Sequence, residues 1–151
     1  MTTIVAFKEN KRWHLSADSR VSMGSFYDDT FIKLGKSETV WYSIAGDARA
    51  YVKMARLPAP ESTMELLDQF RSKNSGATML AIDTEGKNLW LLTSTGYYQP
   101  ITGKNFYAIG SGGDYATGAL ERGATPEQAI AIAKKYDAAT GGPVRSTRKW
   151  K

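Results

Sequence analysis

A threonine directly after the initiator methionine carries the parts of a self-contained nucleophile. Removal of Met1 would leave Thr2 with a free α-amine and a hydroxyl on adjacent carbons. An α-amine titrates near ~8, so it can act as a base close to neutral pH. A threonine hydroxyl attacks poorly until a base takes its proton, and its own amine can do that. Such a site needs no histidine. The chain has a single one, His14, between Trp13 and Leu15 in an apparent strand. It reads as a structural or surface residue, and a Ser-His-Asp triad would have to use it. There is no cysteine, which excludes a thiolate nucleophile, a disulfide framework and a thiolate metal site.

Five further residues could act with Thr2. Asp18 follows an apparent strand, in Ser16-Ala17-Asp18-Ser19-Arg20, and Lys33 interrupts an apolar run, Phe31-Ile32-Lys33-Leu34. A buried lysine is costly unless paired. An Asp18–Lys33 pair would satisfy both groups and place a cation where it favours a neutral amine and stabilises an oxyanion. A surface aspartate and an outward lysine fit the same residues equally well. Gly110-Ser111-Gly112-Gly113 joins a strand to a helix, a place where backbone N–H groups can approach a ligand. It lacks the Lys-Ser/Thr ending of a phosphate loop, and a tight turn with a useful serine fits better. Asp137 and Thr140 stand three apart at a helix end and can lie side by side, as reacting groups or as a polar cap.

The elements that must position these residues follow from periodicity. Thr2–Phe7 and Trp13–Ala17 read as a hairpin, followed by a polar connection from Ser22 to Asp29. Phe31–Leu34 and Val40–Ala45 read as strands. Helical spacing begins at Asp47 and stops at Pro58 and Pro60. A second helix fits Glu61–Lys73. Strands return at Thr78–Ile82, Leu89–Leu92, Tyr97–Ile101 and Phe106–Ile109. One helix then runs from Gly113 to near Gly123. Another begins at Thr125-Pro126-Glu127-Gln128, a capping-box sequence, with Ala129, Ile132, Ala133 and Tyr136 as its apolar stripe. Gly141-Gly142-Pro143 ends it, and a short strand near Val144 closes the order. Strands, two helices, strands, two helices and a strand make an α+β layered pattern, not a Rossmann or P-loop one.

The 151 residues suit one domain, with residues 1–144 as its body and 145–151 as a basic C-terminal tail. The net charge of +5 owes most to Arg145, Arg148, Lys149 and Lys151 in that tail, so the body is nearly neutral. The tail reads as a solvated extension. With no helix-turn-helix or RNP-like pattern and no basic face, nucleic-acid binding is not expected. No apolar run is long enough for a signal peptide or a membrane span. A soluble, cytoplasmic protein without metal or cofactor is expected.

Taken together, Thr2-Thr3-Ile4-Val5, Ala17-Asp18, Phe31-Ile32-Lys33-Leu34 and Ile44-Ala45-Gly46-Asp47 resemble the proteasome β-subunit family and its bacterial ring peptidase HslV. Tyr107-Ala108-Ile109-Gly110-Ser111-Gly112-Gly113-Asp114-Tyr115-Ala116 looks like the corresponding HslV segment. Asp137-x-x-Thr140-Gly141-Gly142 is similar to the proteasomal Asp-x-x-Ser-Gly-Gly, with threonine for serine at 140.

The resemblance runs in order from Thr2 to Gly142. It implies a four-layer αββα sandwich of the N-terminal-nucleophile (Ntn) hydrolase type and a threonine endopeptidase conditional on Met1 removal. In that reading Thr2 is the nucleophile, Lys33 tunes its amine with Asp18 paired to it, and Ser111, Asp137 and Thr140 support the amine and hydroxyl. A peptide would lie extended between Ser22 and the Ser43–Ala45 segment. The family usually has glycine where Ser43 falls, as an oxyanion donor. The resemblance further implies a homo-oligomeric ring acting on peptides or unfolded proteins, with an ATP-dependent unfoldase as a candidate partner. A catalytically silent ring subunit and a small-amide Ntn amidase are the alternatives.

Overall fold

The first strands form because β-branched and aromatic residues alternate across a turn that suits their twist. The computed structural model describes residues 2–23, 25–37, 40–46, 77–93, 98–100 and 103–149. Strand β1 (Ile4–Glu9) pairs antiparallel with β2 (Arg12–Ala17), from Ile4↔Ala17 to Glu9↔Arg12. Asn10 and Lys11 between them both have positive φ, 53° and 64°, the signature of a two-residue type I′ hairpin turn.

Three sheets follow. β3 (Val21–Met23) and β4 (Phe26–Asp28) form a small two-stranded sheet. A five-stranded sheet has the order β5 (Gly35–Lys36), β6 (Val40–Ala45), β7 (Thr78–Asp83), β8 (Leu89–Leu92) and β9 (Tyr98–Pro100). β10 (Phe106–Ile109) returns to the first sheet beside β1, and β11 (Arg145–Ser146) pairs with β2, giving the order β10-β1-β2-β11. Between β10 and β11 run the helices α1 (Gly113–Glu121) and α2 (Pro126–Tyr136).

Alternation along β1 and β2 divides the core. Ile4, Ala6, Trp13, Leu15 and Ala17 face Leu80, Ile82, Leu89 and Leu91 of the second sheet. Val5, on the other face, packs against Ala116 and Leu120 of α1 and Ala129 and Ile130 of α2. The outer face of the second sheet is buried too, at Val40, Tyr42, Ile44, Met79 and Ala81. The helices expected between Asp47 and Lys73 lie outside the described residues. The described layers are thus helices on sheet on sheet, an α+β arrangement.

The capping box at α2 is present: Thr125 Oγ1 accepts from Gln128 N at 3.2 Å, and Gln128 Oε1 accepts from Thr125 N at 3.0 Å. The inward face is rotated from the expected stripe, however. Ile130 is fully buried, whereas Ile132 and Tyr136 are 37% and 67% exposed. Ile130 takes the place of Ile132 because the sheet is reached by the 126, 129, 130, 133 face.

Three other expectations change. The Ser22–Asp29 connection contains β3 and β4, strands too short for periodicity to register. Phe31–Leu34 is irregular, and the strand begins only at Gly35. Its backbone is held outside any ladder: Phe31 N donates to Ser19 O at 3.1 Å, and Lys33 O accepts from Ser43 Oγ at 2.5 Å. Residues 145–149 are docked rather than a solvated extension, through β11, a 3₁₀ turn at Thr147–Lys149, and ion pairs of Arg148 with Glu9 and Glu127. Thr125→Ala, which removes the α2 cap, is expected to cost about 1 kcal/mol of stability, read by chemical denaturation, without displacing the β1–β2 hairpin.

Candidate functional site

Thr2 lies immediately ahead of β1 and is 2% exposed. Two glycines make its seat possible. A side chain at Gly110 (φ 96°) would come within 2.1 Å of Thr2 O, and one at Gly112 within 2.0 Å of Thr3 Oγ1. The Gly-Ser-Gly-Gly turn can therefore press its backbone onto the start of β1, and Gly112 N donates to Thr2 O at 3.2 Å.

Asp18, one residue past β2, is the hub. Its Oδ1 accepts from Thr2 Oγ1 at 2.6 Å, from Thr3 N at 3.1 Å and from Lys33 Nζ at 2.8 Å. Its Oδ2 accepts from Arg20 N at 3.3 Å and from Gly141 N at 3.0 Å. Lys33 Nζ also donates to Thr2 Oγ1. The buried-pair alternative for Asp18 and Lys33 is the one realised. Burial holds the Lys33 ammonium below the ordinary lysine range, a shift that facing Asp18, Asp137 and Asp29 oppose.

A second cluster approaches from α2. Ser111 Oγ accepts from Thr2 N at 3.2 Å and donates to Asp137 Oδ2 at 2.6 Å; Thr140 Oγ1 donates to the same oxygen at 2.6 Å. Each hydroxyl has one proton. With Ser111's given to Asp137, its oxygen faces Thr2 N as an acceptor. With Thr140's given likewise, Thr3 must be the donor in the 2.7 Å Thr3–Thr140 contact. Desolvation works against the Asp137 carboxylate, but hydrogen bonds from Ser111, Thr140 and Ala139 outweigh it and hold its pKa below the usual value. In the chain with Met1 attached, Thr2 N is a peptide nitrogen.

The structure thus brings Thr2, Asp18, Lys33, Ser111, Asp137 and Thr140 together. Of the residues expected along a substrate, Ser22 is exposed on β3 and Ala45 ends β6, nearly buried. Ser43 is fully buried in β6, opposite Leu80, and its hydroxyl donates to Lys33 O at 2.5 Å. The accessible residue at that strand end is Gly46, half-buried with φ 118°. His14 sits mid-strand in β2 opposite Phe7, four residues or roughly 13 Å from Asp18 along the strand.

Sequence reading missed Thr3, Arg20 and Asp29. Arg20 binds Asp29 through two nitrogens at 2.7 and 3.0 Å, donates to Ala138 O at 2.9 Å, and stacks 3.8 Å from the Tyr27 ring. It ties the β3–β4 sheet to the 137–142 turn. Only its proximity to Asp18 could have flagged it. Asp18→Ala, by removing the carboxylate 2.8 Å from the buried Lys33 ammonium, is expected to cost about 3–5 kcal/mol. Adding Lys33→Met should recover much of that loss in the same denaturation measurement.

No protein-family model matches the chain, and no curated protein matches its sequence. Solved structures do. Thiobacillus denitrificans BPH, both alone and in complex with epoxomicin, superposes with a TM-score of 0.78 at 18% identity, covering 96% of each chain. Eukaryotic HslV from Trypanosoma brucei superposes with a TM-score of 0.75 at 18% identity, covering 96% of this chain and 97% of HslV. The α+β layering and these superpositions together show that the chain has the HslV-like, Ntn-hydrolase-type fold.

Proposed function

We propose that the Met1-free chain is an N-terminal threonine peptidase. The observation that carries this reading is the convergence on Thr2. Lys33 and Asp18 both hydrogen-bond its hydroxyl, and Ser111 holds its nitrogen. Because Ser111 accepts rather than donates, it orients the amine through an N–H and leaves the nitrogen lone pair free.

The chemistry follows from those contacts. The Oγ1 proton, donated to Asp18 while Met1 is attached, turns to the neutral amine, which takes it as Oγ1 attacks the peptide carbonyl carbon. The adjacent Lys33 cation stabilises the negative charge that develops. The α-ammonium of Thr2 then gives that proton to the departing amine, leaving an ester on Thr2 Oγ1. Water, deprotonated by the same amine, attacks the ester; the acyl–Oγ1 bond breaks, the acid leaves, and the amine returns its proton to Oγ1. Asp18 keeps Lys33 charged and aimed. Ser43 contributes by bracing the lysine's backbone, and an extended peptide would run between β3 and the Gly46 end of β6.

The same reading extends to a homo-oligomeric ring whose chamber admits peptides or unfolded chains, with an ATP-dependent unfoldase as a partner. Its support is the likeness in fold to HslV, and light scattering of the purified protein tests it: a ring mass is expected, and a monomer at every concentration contradicts it.

Thr2→Ala should abolish peptide hydrolysis while keeping the amine, and Thr2→Ser should retain part of it. Protein with Met1 held in place should be inactive, because its base is tied up in a peptide bond. Equal activity with and without Met1 would rule out the mechanism.

A further inference from the structure

The basic end of the chain takes no part in the chemistry above, yet one of its side chains is aimed at the segment that carries Lys33. Arg145 Nη1 donates to Phe31 O at 3.2 Å and to Ser19 Oγ at 2.5 Å. A guanidinium Nη bears two hydrogens, so one nitrogen can serve both acceptors. The polarity is consistent, since Ser19 gives its own proton to Pro143 O at 2.5 Å. At the same time the Arg145 backbone pairs with Ala17, the neighbour of Asp18.

Residues 31–34 belong to no strand, so no ladder fixes the lysine. Three hydrogen bonds anchor its backbone among the described residues: Phe31 N on Ser19 O, Arg145 on Phe31 O and Ser43 Oγ on Lys33 O. Two of the three meet at Ser19 and Arg145. Arg145 spans from the strand that leads into Asp18, where its backbone pairs with Ala17, to the segment that leads into Lys33, where its side chain holds Phe31 O.

We infer that Arg145 is a positioning residue, which sets the Lys33 segment against the Asp18 strand so that the ammonium reaches Thr2 Oγ1. Arg148, three residues on, provides the contrast. It binds Glu9 at 2.6 Å and also Glu127, joining the far end of the β1–β2 hairpin to the start of α2. The two arginines lie in one docked segment, and only one of them bears on the lysine.

The activity arm of the test rests on the Thr2 peptidase reading; a second arm does not. In the full chain freed of Met1, Arg145→Met is expected to lower kcat for a peptide substrate about tenfold or more, as expected for a displaced group, with KM little changed. Arg145→Lys, which keeps a charged donor, should recover part of kcat. Arg148→Met should lose thermal stability and keep kcat. An Arg145→Met kcat equal to that of Arg148→Met, or a loss carried by KM, would overturn the inference.

The second arm follows the Lys33 ammonium by ¹⁵N NMR of lysine-labelled protein. Arg145→Met should move its titration up toward the ordinary ~10.4, because an ammonium released from its buried seat regains water. Arg148→Met should leave it in place. If the wild-type chain hydrolyses no peptide, the Thr2 proposal fails while this titration still decides the role of Arg145. A titration unchanged by Arg145→Met would refute that role.

Discussion

An ammonium and a carboxylate 2.8 Å apart, with side chains 4% and 0% exposed, set the terms for the rest of this protein. Taking two such charges out of water costs several kcal/mol each, offset only when geometry is good and the remaining donors and acceptors are satisfied. Here they are. Asp18 gathers Thr2, Thr3 and Lys33 on one oxygen and Arg20 and Gly141 on the other. Every segment that touches the site, from the start of β1 to the 137–142 turn, supplies a donor to this one carboxylate or is held beside one that does.

The fold makes this possible by ending elements at one place. β1 begins there, β2 runs out into Asp18, and β10 leads into the glycine turn that lets Ser111 approach Thr2. Meanwhile α2 ends at Asp137, which takes hydrogen bonds from Ser111 of the glycine turn and from Thr140 three residues on. Strand and helix interiors carry the core, and the clustered polar groups sit just past their ends, where the backbone is free of the ladder. Lys33 shows why this matters: a lysine inside a ladder would alternate to one face or the other, whereas an irregular segment can turn it onto Thr2. The cost is that irregular backbone needs other anchors, which Ser43, Ser19 and Arg145 provide.

Much of this was legible in the sequence where periodicity or turn chemistry is strong. Val40–Ala45, Leu89–Leu92 and Phe106–Ile109 read as strands because their apolar pattern is continuous, and the α2 start announced itself through Thr125, Pro126 and Gln128. The site residues were legible as a set through an ordered resemblance, while local pattern left Asp18 and Lys33 undecided between buried pair and surface charges. What stayed hidden is long-range. Nothing local says that Arg145 meets Phe31, that Thr3 reaches Thr140, or that Ser43 turns to Lys33 O, because each contact joins residues that only the tertiary fold brings together. The α2 face was misread for a related reason: Ile130 and Ile132 are equally apolar, and the sheet beneath decides which is inside.

The central claim is that Thr2 Oγ1, activated by its own amine, is the attacking atom. The most direct measurement is mass mapping of the Met1-free protein after rapid quenching during turnover of an activated peptide ester. An acyl group is expected on the N-terminal fragment bearing Thr2, and none when Thr2 is alanine. Turnover with the acyl group on another residue, or with no acylated protein at any time point, would contradict it.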